Sequence, residues 1–190
     1  MPRPEETYAI TIAGLDRRLP LVRVQPGLRI AVLNILGDTP LVEAAARSLA
    51  GRVPPREYDV LVTAEAKSIP LAHALSVATG QPYVVLRKSY KTYMGDALVA
   101  ETRSITTGDP QTLYLDEKDR DSVRNRRVLL VDDVISTGST LQGMRELMGK
   151  AGARIAGEAA ILTEGDPAEW DGIVSLGHLP LFRDDDPASA

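Results

Sequence analysis

Residues 128–140 run Val-Leu-Leu-Val-Asp-Asp-Val-Ile-Ser-Thr-Gly-Ser-Thr and carry the strongest structural signal in the chain. Val128–Val131 is apolar at every position, which is typical of a parallel central strand with both faces covered. The strand ends in adjacent carboxylates, Asp132 and Asp133, and a loop of hydroxyls and glycine follows. Apolar residues at helical spacing, beginning at Leu141, then mark a helix. This order predicts a ligand site at the carboxyl end of a strand in an α/β sheet.

The acidic pair and the loop suit a sugar phosphate. The first turn of a helix has unpaired N–H groups and the positive end of the helix dipole, so it binds phosphate. Gly138 lets the backbone approach a ligand closely. Asp132 and Asp133 suit the cis-diol of a ribose, either directly or through a bound Mg²⁺. The segment therefore predicts a ribose 5-phosphate site, with further donors in the hydroxyls of Ser136, Thr137, Ser139 and Thr140.

Three other interpretations share parts of this pattern. Phospho-receiver domains also contain a strand ending in paired aspartates, but they need more chain downstream than follows Asp133. A Walker B strand needs a P-loop, and the nearest sequence, 143–151, has the wrong spacing and no Ser or Thr after its lysine. A purely structural strand with a capped helix needs neither two adjacent acids nor four hydroxyls. The sugar-phosphate site is the interpretation that uses every part of the segment.

On both sides of this segment, short β-rich runs alternate with helical patterns. Thr39-Pro40 is expected to open a helix, with the threonine as its cap and proline at the first helical position. The alternation predicts an α/β fold with a mainly parallel central sheet flanked by helices. The predicted strands are Tyr8–Ile12, Leu21–Val24, Arg29–Leu33, Asp59–Thr63, Tyr83–Leu86, Val128–Val131 and Ala159–Leu162, and a second helix spans Ile69–Thr79 and ends before Gly80.

The region between Lys88 and Val128 departs from this alternation. Ala97–Ala100 and Thr112–Leu115 predict two strands, and residues 106–110 predict a turn between them. The region is therefore expected to form a long hairpin that leaves the sheet. An excursion of this kind is typical of a lid over a site, and equally of a plain surface hairpin.

Composition excludes several classes of protein. The 190 residues carry a net charge of −4, which disfavours nucleic acid as the main partner. The absence of cysteine excludes disulfides, thiolate nucleophiles and Cys-ligated metals, and the two histidines are too few for a multi-histidine metal site. No apolar run reaches the length of a membrane span, and the start lacks the apolar core of a signal peptide. We expect a cytoplasmic protein with no membrane partner.

The acidic pair followed by Ser-Thr-Gly-Ser-Thr resembles the phosphoribosyl pyrophosphate (PRPP) motif of type I phosphoribosyltransferases, closest to the adenine and xanthine branches of the purine enzymes. The resemblance extends over about residues 28–182. It implies one phosphoribosyltransferase domain over residues 1–190, with a core at 39–159. It also implies a small base-binding hood formed from residues 1–38 and 160–190, and a flexible β-hairpin lid at 94–112.

The resemblance also implies site residues, matched by position. Catalytic roles fall to Asp132, Asp133 and Lys88, and the two aspartates hold the Mg²⁺ cofactor, directly or indirectly. Base contacts fall to Asn34 and Val134, although an asparagine at a strand end is also a common turn former. PRPP and its 5′-phosphate are expected to bind Ser136, Thr137, Gly138, Ser139, Thr140, Glu65, Ala66, Lys67, Ser68, Arg87 and Lys91.

The implied activity is transfer of ribose 5-phosphate from PRPP to a purine, in a homodimer that serves purine salvage. Adenine is the expected base, because xanthine enzymes place a lysine where this chain has Gly165. Xanthine or another 6-oxopurine is the alternative. Adenine enzymes usually carry a glutamate near position 106, where this chain has threonine, so no acid is assigned on the lid. A non-catalytic regulator that senses PRPP or purines is the alternative from a different class.

Overall fold

The computed structural model describes residues 6–53, 57–103 and 110–183. The strands are β1 (Thr7–Ile12), β2 (Leu15–Gln25), β3 (Leu28–Ala31), β4 (Val60–Ala64), β5 (Tyr83–Leu86), β6 (Leu98–Arg103), β7 (Pro110–Leu115), β8 (Arg127–Ile135), β9 (Arg154–Glu164), β10 (Val174–Leu179) and β11 (Phe182–Arg183). The helices are α1 (Thr39–Arg52), α2 (Ile69–Thr79), α3 (Arg120–Val123) and α4 (Ser139–Lys150), with short 3₁₀ turns at Thr92–Met94, Glu117–Asp119 and Pro167–Trp170.

A five-stranded sheet in the order β10-β9-β8-β4-β5 forms the centre of the fold, and every pairing in it is parallel. This confirms the predicted α/β class with a parallel sheet flanked by helices. The central strand β8 is longer than the predicted Val128–Val131. It continues through the two aspartates to Ile135 because Val134 and Ile135 still pair with β9.

The two faces of this sheet bury separate apolar cores, because successive strand side chains point to opposite sides. Leu129 and Val131 pack on one side with residues of α1 and α2. Leu130 packs on the other side with α4 and the two strands β6 and β7. The predicted end of α2 is confirmed, since Gly80 adopts the left-handed backbone conformation that closes the helix.

The cap of α1 differs from the prediction. Asp38, one residue before Thr39, is the capping residue, and its side chain accepts a hydrogen bond from the backbone N–H of Leu41 at 3.3 Å. Arg17 holds the same carboxylate through two hydrogen bonds of 2.7 and 2.9 Å. This ion pair lowers the pKa of Asp38, chiefly through the hydrogen bond. Aspartate is a somewhat better cap than threonine, and the contact with Arg17 holds its carboxylate in place.

A second, antiparallel sheet in the order β1-β2-β3-β11 lies beside the central one. Tyr8 on β1 and Phe182 on β11 pack edge to face with their ring centres 5.3 Å apart. Strand β2 is one long strand that includes the predicted Leu21–Val24. No helix among residues 6–53, 57–103 and 110–183 is long and apolar enough to cross a membrane.

The predicted hairpin strands are confirmed, and both extend towards the turn. Strands β6 and β7 pair antiparallel with Thr102 opposite Gln111, and they lie against α4. A Cβ atom on Gly143 of α4 would stand 3.0 Å from Leu113 Cδ1, so the hairpin approaches the helix closely where the helix has no side chain. Residues 104–109, including the expected lid position Thr106, lie outside the described part of the chain.

Candidate active site

Three neighbouring parallel strands end at one edge of the central sheet, and each delivers part of the predicted site. Strand β8 carries the acidic pair, β4 leads into residues 65–68, and β5 leads into the basic residues that begin at Arg87. The register pairs Thr63 with Val131 and Ala64 with Leu86, so the three chain segments leave the sheet side by side. The topology therefore brings together groups that are far apart in sequence.

The acidic pair is buried near the carboxyl end of β8, two residues before the strand ends at Ile135. The backbone N–H of Asp133 donates to the Asp132 carboxylate at 2.9 Å. Burial, followed by the nearby charge of Asp133, raises the pKa of Asp132 to about 7. The hydrogen bond from the Asp133 backbone and the nearby Ser68 hydroxyl partly oppose this rise in the pKa. Two adjacent carboxylates in a buried site repel each other. A bound cation, or hydroxyl donors from a ligand, would stabilise their charged forms.

A cavity of about 120 Å³ lies where β8 meets α4. Its walls are polar, and the hydroxyls of Thr137 and Ser139, which both line it, are hydrogen-bonded to each other at 3.1 Å. The N-terminal end of α4 opens into it, so unpaired backbone N–H groups and hydroxyls face one small space. It is lined by Gln111, Asp132, Val134, Ile135, Ser136, Thr137, Gly138, Ser139, Thr140 and Leu141.

Gly138 is required here by conformation and by packing. Its φ of +72° lies in the left-handed region, which disfavours side chains. A Cβ atom at this position would stand 3.1 Å from Cη2 of Trp170. The indole Nε1 donates to the backbone oxygen of Glu164 at 2.7 Å, which fixes the ring over the loop. Trp170 therefore packs directly against the loop at Gly138.

The loop after β4 is held by its own side chains. The Thr63 hydroxyl donates to Ser68 Oγ at 2.8 Å, and Ser68 Oγ donates to the oxygen of Ala64 at 3.0 Å. The Glu65–Ala66 peptide bond is cis. The Ser68 side chain is thus used to shape the loop, which leaves its backbone amides and the exposed Lys67 as the groups available to an anion.

Glu65 links this loop to the basic residues after β5. Its carboxylate accepts from Arg87 Nε at 2.9 Å and from the backbone N–H of Lys88 at 2.9 Å. Glu65 therefore holds the two segments together and positions Arg87. The side chains of Lys88 and Lys91 are exposed, and neither forms an ion pair within the described ranges.

The two predicted base contacts occupy different settings. Val134 lines the cavity. Asn34 lies in a turn, where its side-chain oxygen accepts from the N–H of Leu36 at 3.1 Å. Asn34 therefore acts as a turn former through its side-chain oxygen. Its side-chain nitrogen makes no hydrogen bond to another described residue.

Sequence reasoning did not find Gln111 and Trp170 as neighbours of the loop. Gln111 reaches the cavity because β7 packs on α4, and Trp170 because a 3₁₀ turn follows β9. The sequence held one weak signal, which is that Trp170 is the single tryptophan in the chain. No periodicity relates either residue to the segment 128–140.

Comparison with known proteins identifies the family. The model of the phosphoribosyl transferase domain matches residues 33–172. A hypoxanthine/guanine phosphoribosyltransferase of Methanococcus voltae is 39% identical over 108 residues, which are 57% of this chain and 54% of that protein. The purine biosynthesis transcriptional repressor PurR of Bacillus subtilis is 30% identical over 135 residues, 71% of this chain and 47% of that protein. The chain thus spans about half the length of these curated relatives.

Solved structures agree on the fold. The adenine phosphoribosyltransferase of Thermoanaerobacter pseudethanolicus superposes with a TM-score of 0.70 at 21% identity, over 84% of this chain and 95% of that one. The enzyme of Giardia lamblia in complex with 9-deazaadenine gives 0.69 at 20% identity, over 84% and 93%. The family resemblance seen in the acidic pair and its loop is confirmed, and the chain belongs to the phosphoribosyl transferase domain family.

Proposed function

We propose that this chain is a purine phosphoribosyltransferase, which transfers ribose 5-phosphate from PRPP to a nitrogen of a purine base and releases diphosphate. One observation carries the proposal. The acidic pair, the N-terminal end of α4 and the loop after β4 meet at a single edge of the sheet. The acidic pair supplies acceptors for a diol, and the end of α4 and the loop after β4 supply donors for phosphates.

Each part of PRPP then has a partner in the chain. The 5′-phosphate binds the loop 136–140, and Asp132 and Asp133 accept hydrogen bonds from the ribose hydroxyls. The diphosphate binds the backbone amides of residues 66–68, with positive charge from Lys67, Arg87, Lys88 and Lys91. Cleavage at C1 of the ribose gives an oxocarbenium-like transition state, and these donors stabilise the leaving diphosphate. The chain supplies position and charge, so no side-chain nucleophile is required.

The acidic pair also fits Mg²⁺. Mg²⁺ in proteins is usually held by one or two carboxylates, and it keeps waters and substrate oxygens as its other ligands. Asp132 and Asp133 would hold the ion, directly or through water. Bound there with PRPP, it would neutralise charge on the diphosphate.

Two classes of purine are candidates for the base. The Ser-Thr-Gly-Ser-Thr loop resembles that of adenine enzymes. The relatives of Methanococcus voltae and Methanocella paludicola, 39% and 36% identical, are named hypoxanthine/guanine phosphoribosyltransferases. The names of these two relatives favour a 6-oxopurine over adenine, which is the base expected from the sequence. Gly165 supplies no cation for the base, which disfavours xanthine within the 6-oxopurine class.

A parallel assay tests the activity and the base together. The purified protein is incubated with PRPP and Mg²⁺, and with adenine, hypoxanthine, guanine or xanthine in separate reactions. Diphosphate release is measured with nucleotide formation by chromatography. We expect turnover with hypoxanthine or guanine, and little with xanthine. Turnover with adenine alone would reverse the choice of base, and no release with any base would overturn the enzyme proposal.

A regulator is the second candidate, because the relative from Bacillus subtilis is named as a transcriptional repressor. A regulator that keeps the PRPP site would bind PRPP without turnover. Calorimetry with PRPP, run beside the assay, separates the two functions. Tight binding without diphosphate release from any base would establish the regulator.

The family resemblance also supports a homodimer. Sedimentation equilibrium is expected to give about twice the 20.5 kDa mass of the chain. A monomer mass at micromolar concentration would contradict it.

A further inference from the structure

We propose that Gln111, which the β6–β7 hairpin contributes, is a direct ligand of the 5′-phosphate. The inference rests on the proposed function, since it adds a residue to the same phosphate cavity. Helix α4 and the hairpin then bind this phosphate jointly, although they are separate elements of the chain.

The side-chain amide of Gln111 lies at the phosphate cavity, beside Thr140. Gln111 lines the cavity together with the loop at the start of α4. Its Oε1 accepts a hydrogen bond from the Thr140 hydroxyl at 3.1 Å. With the oxygen engaged, both hydrogens on Nε2 stay available, and they have no partner elsewhere in the described ranges. An amide NH₂ on the wall of a phosphate cavity is a neutral donor to phosphate oxygens.

The hairpin holds this amide at a fixed place. Thr102, paired opposite Gln111 in the hairpin, donates from its hydroxyl to the backbone oxygen of Ser139 at 3.2 Å. The close approach of Leu113 to Gly143 packs the same two strands on α4. Contacts from both strands therefore fix the hairpin relative to the first turn of the helix. Gln111 therefore lies at the cavity on a strand whose position is held by packing and hydrogen bonds.

The lining of the cavity supplies few groups that attract a phosphate, so each neutral donor, including Gln111, matters for affinity. The described residues that line it include no lysine or arginine, and they include the carboxylate of Asp132. A phosphate dianion here is held by neutral donors alone, which are backbone amides, hydroxyls and the Gln111 amide. Hydrogen bonds to charged groups are stronger than neutral ones, so each such donor contributes strongly to affinity.

Variants of Gln111 test the inference. Gln111→Ala removes the donor, and Gln111→Glu replaces it with a negative charge of nearly the same shape. Gln142→Glu is the matched control, since Gln142 is exposed on α4 and does not line the cavity. Calorimetry measures the binding of ribose 5-phosphate and, separately, of magnesium diphosphate. If Gln111→Ala does not fold, Gln111→Met removes the donor and keeps the length of the side chain.

We expect Gln111→Ala to weaken ribose 5-phosphate binding about tenfold or more, and Gln111→Glu to weaken it further. Diphosphate affinity and the Gln142→Glu control stay within about twofold of wild type. Unchanged ribose 5-phosphate affinity in both Gln111 variants would overturn the inference and leave the proposed function intact. Equal weakening of both ligands would also overturn it, because it indicates a structural role. A wild-type protein that binds neither ligand would overturn the proposed function itself.

Discussion

At the scale of single residues, the acidic pair is held in a way that favours a ligand over stability. Asp132 lines the cavity, and the charge of Asp133 is the second cause, after burial, of its raised pKa. Neither aspartate has a side-chain ion pair to a described residue. A fold selected only for stability gains nothing from two buried, uncompensated carboxylates. Their arrangement is better explained by a substrate that supplies hydroxyl donors and, with it, a cation.

Asp133→Asn is expected to separate function from stability. Loss of one charged acceptor lowers kcat/KM for PRPP by about 10- to 100-fold, the size of one hydrogen bond to a charged group. The free energy of unfolding in urea stays equal or rises, because repulsion of Asp132 is removed. Asp171→Asn, at an exposed position, is the control and changes neither quantity. Unchanged kinetics in Asp133→Asn would count against the diol assignment.

Gly138→Ala tests the two requirements at the phosphate loop. A left-handed backbone costs a side chain about 1–2 kcal/mol, and the new Cβ also meets the Trp170 ring. Gly37→Ala is the matched control, since Gly37 has a φ of +85° and a Cβ atom there would have open space for 4 Å around it. We expect Gly138→Ala to lose more unfolding free energy than Gly37→Ala, and to shift Trp170 fluorescence. Equal losses in the two variants would mean that the ring contact contributes nothing.

At the scale of elements, the two central strands are joined at their first residues as well as at the site. Asp59, just before β4, accepts from the Arg127 side chain at 2.8 Å and from its backbone N–H at 2.9 Å. The backbone N–H of Asp59 donates to the oxygen of Arg127 at 2.8 Å. This closed set of bonds fixes the register of β4 against β8. The register in turn sets the loop after β4 beside the acidic pair.

The Asp59–Arg127 ion pair makes part of the stability depend on pH. The side-chain hydrogen bond from Arg127, the largest cause, lowers the pKa of Asp59 to about 2. A carboxyl whose folded pKa lies below its unfolded value of about 3.9 stabilises the fold above that value. The contribution is lost as pH falls from about 4 towards 2. We expect Asp59→Asn to lower the unfolding free energy at pH 6 and to match wild type near pH 2.

Urea unfolding of both proteins between pH 2 and 6 measures this difference directly. Asp171→Asn serves again as the control, because its carboxyl is exposed and takes no part in the Asp59–Arg127 ion pair. A difference between Asp59→Asn and wild type that does not change with pH would refute the assignment of the effect to this carboxyl.

How far the sequence predicts these elements depends on the range of the contacts involved. Strand β8 and its loop are predictable, since burial on both faces and the acidic pair are local properties of residues 128–140. The cap of α1 is not, because Asp38 and Thr39 are adjacent residues that can both cap a helix, and Arg17, which holds the Asp38 carboxylate, is far away in sequence. The place of Gln111 in the cavity depends on how β7 packs on α4, and no local pattern encodes that packing.

At the scale of the whole molecule, the site lies on the central strand of the sheet. Strand β8 contributes Leu129 to one core and Leu130 to the other. The ligand groups lie where this rigid strand ends and where the hairpin, α4 and the turn carrying Trp170 meet. Binding at this junction therefore connects the central strand with the hairpin, α4 and the Trp170 turn, which pack in one core on the same side of the sheet.

A ligand at this junction is expected to stabilise the entire fold. Ribose 5-phosphate at a hundred times its Kd adds about 2.7 kcal/mol to the unfolding free energy if only the folded chain binds it. For a domain of this size each kcal/mol raises Tm by roughly 2–4 °C, so scanning calorimetry is expected to show a rise of about 5–11 °C. Ribose, which lacks the phosphate, is the control at the same concentration. It cannot fill the phosphate cavity, so we expect it to leave Tm unchanged within about 1 °C. If ribose and ribose 5-phosphate shift Tm equally, the cavity between β8 and α4 does not bind the phosphate.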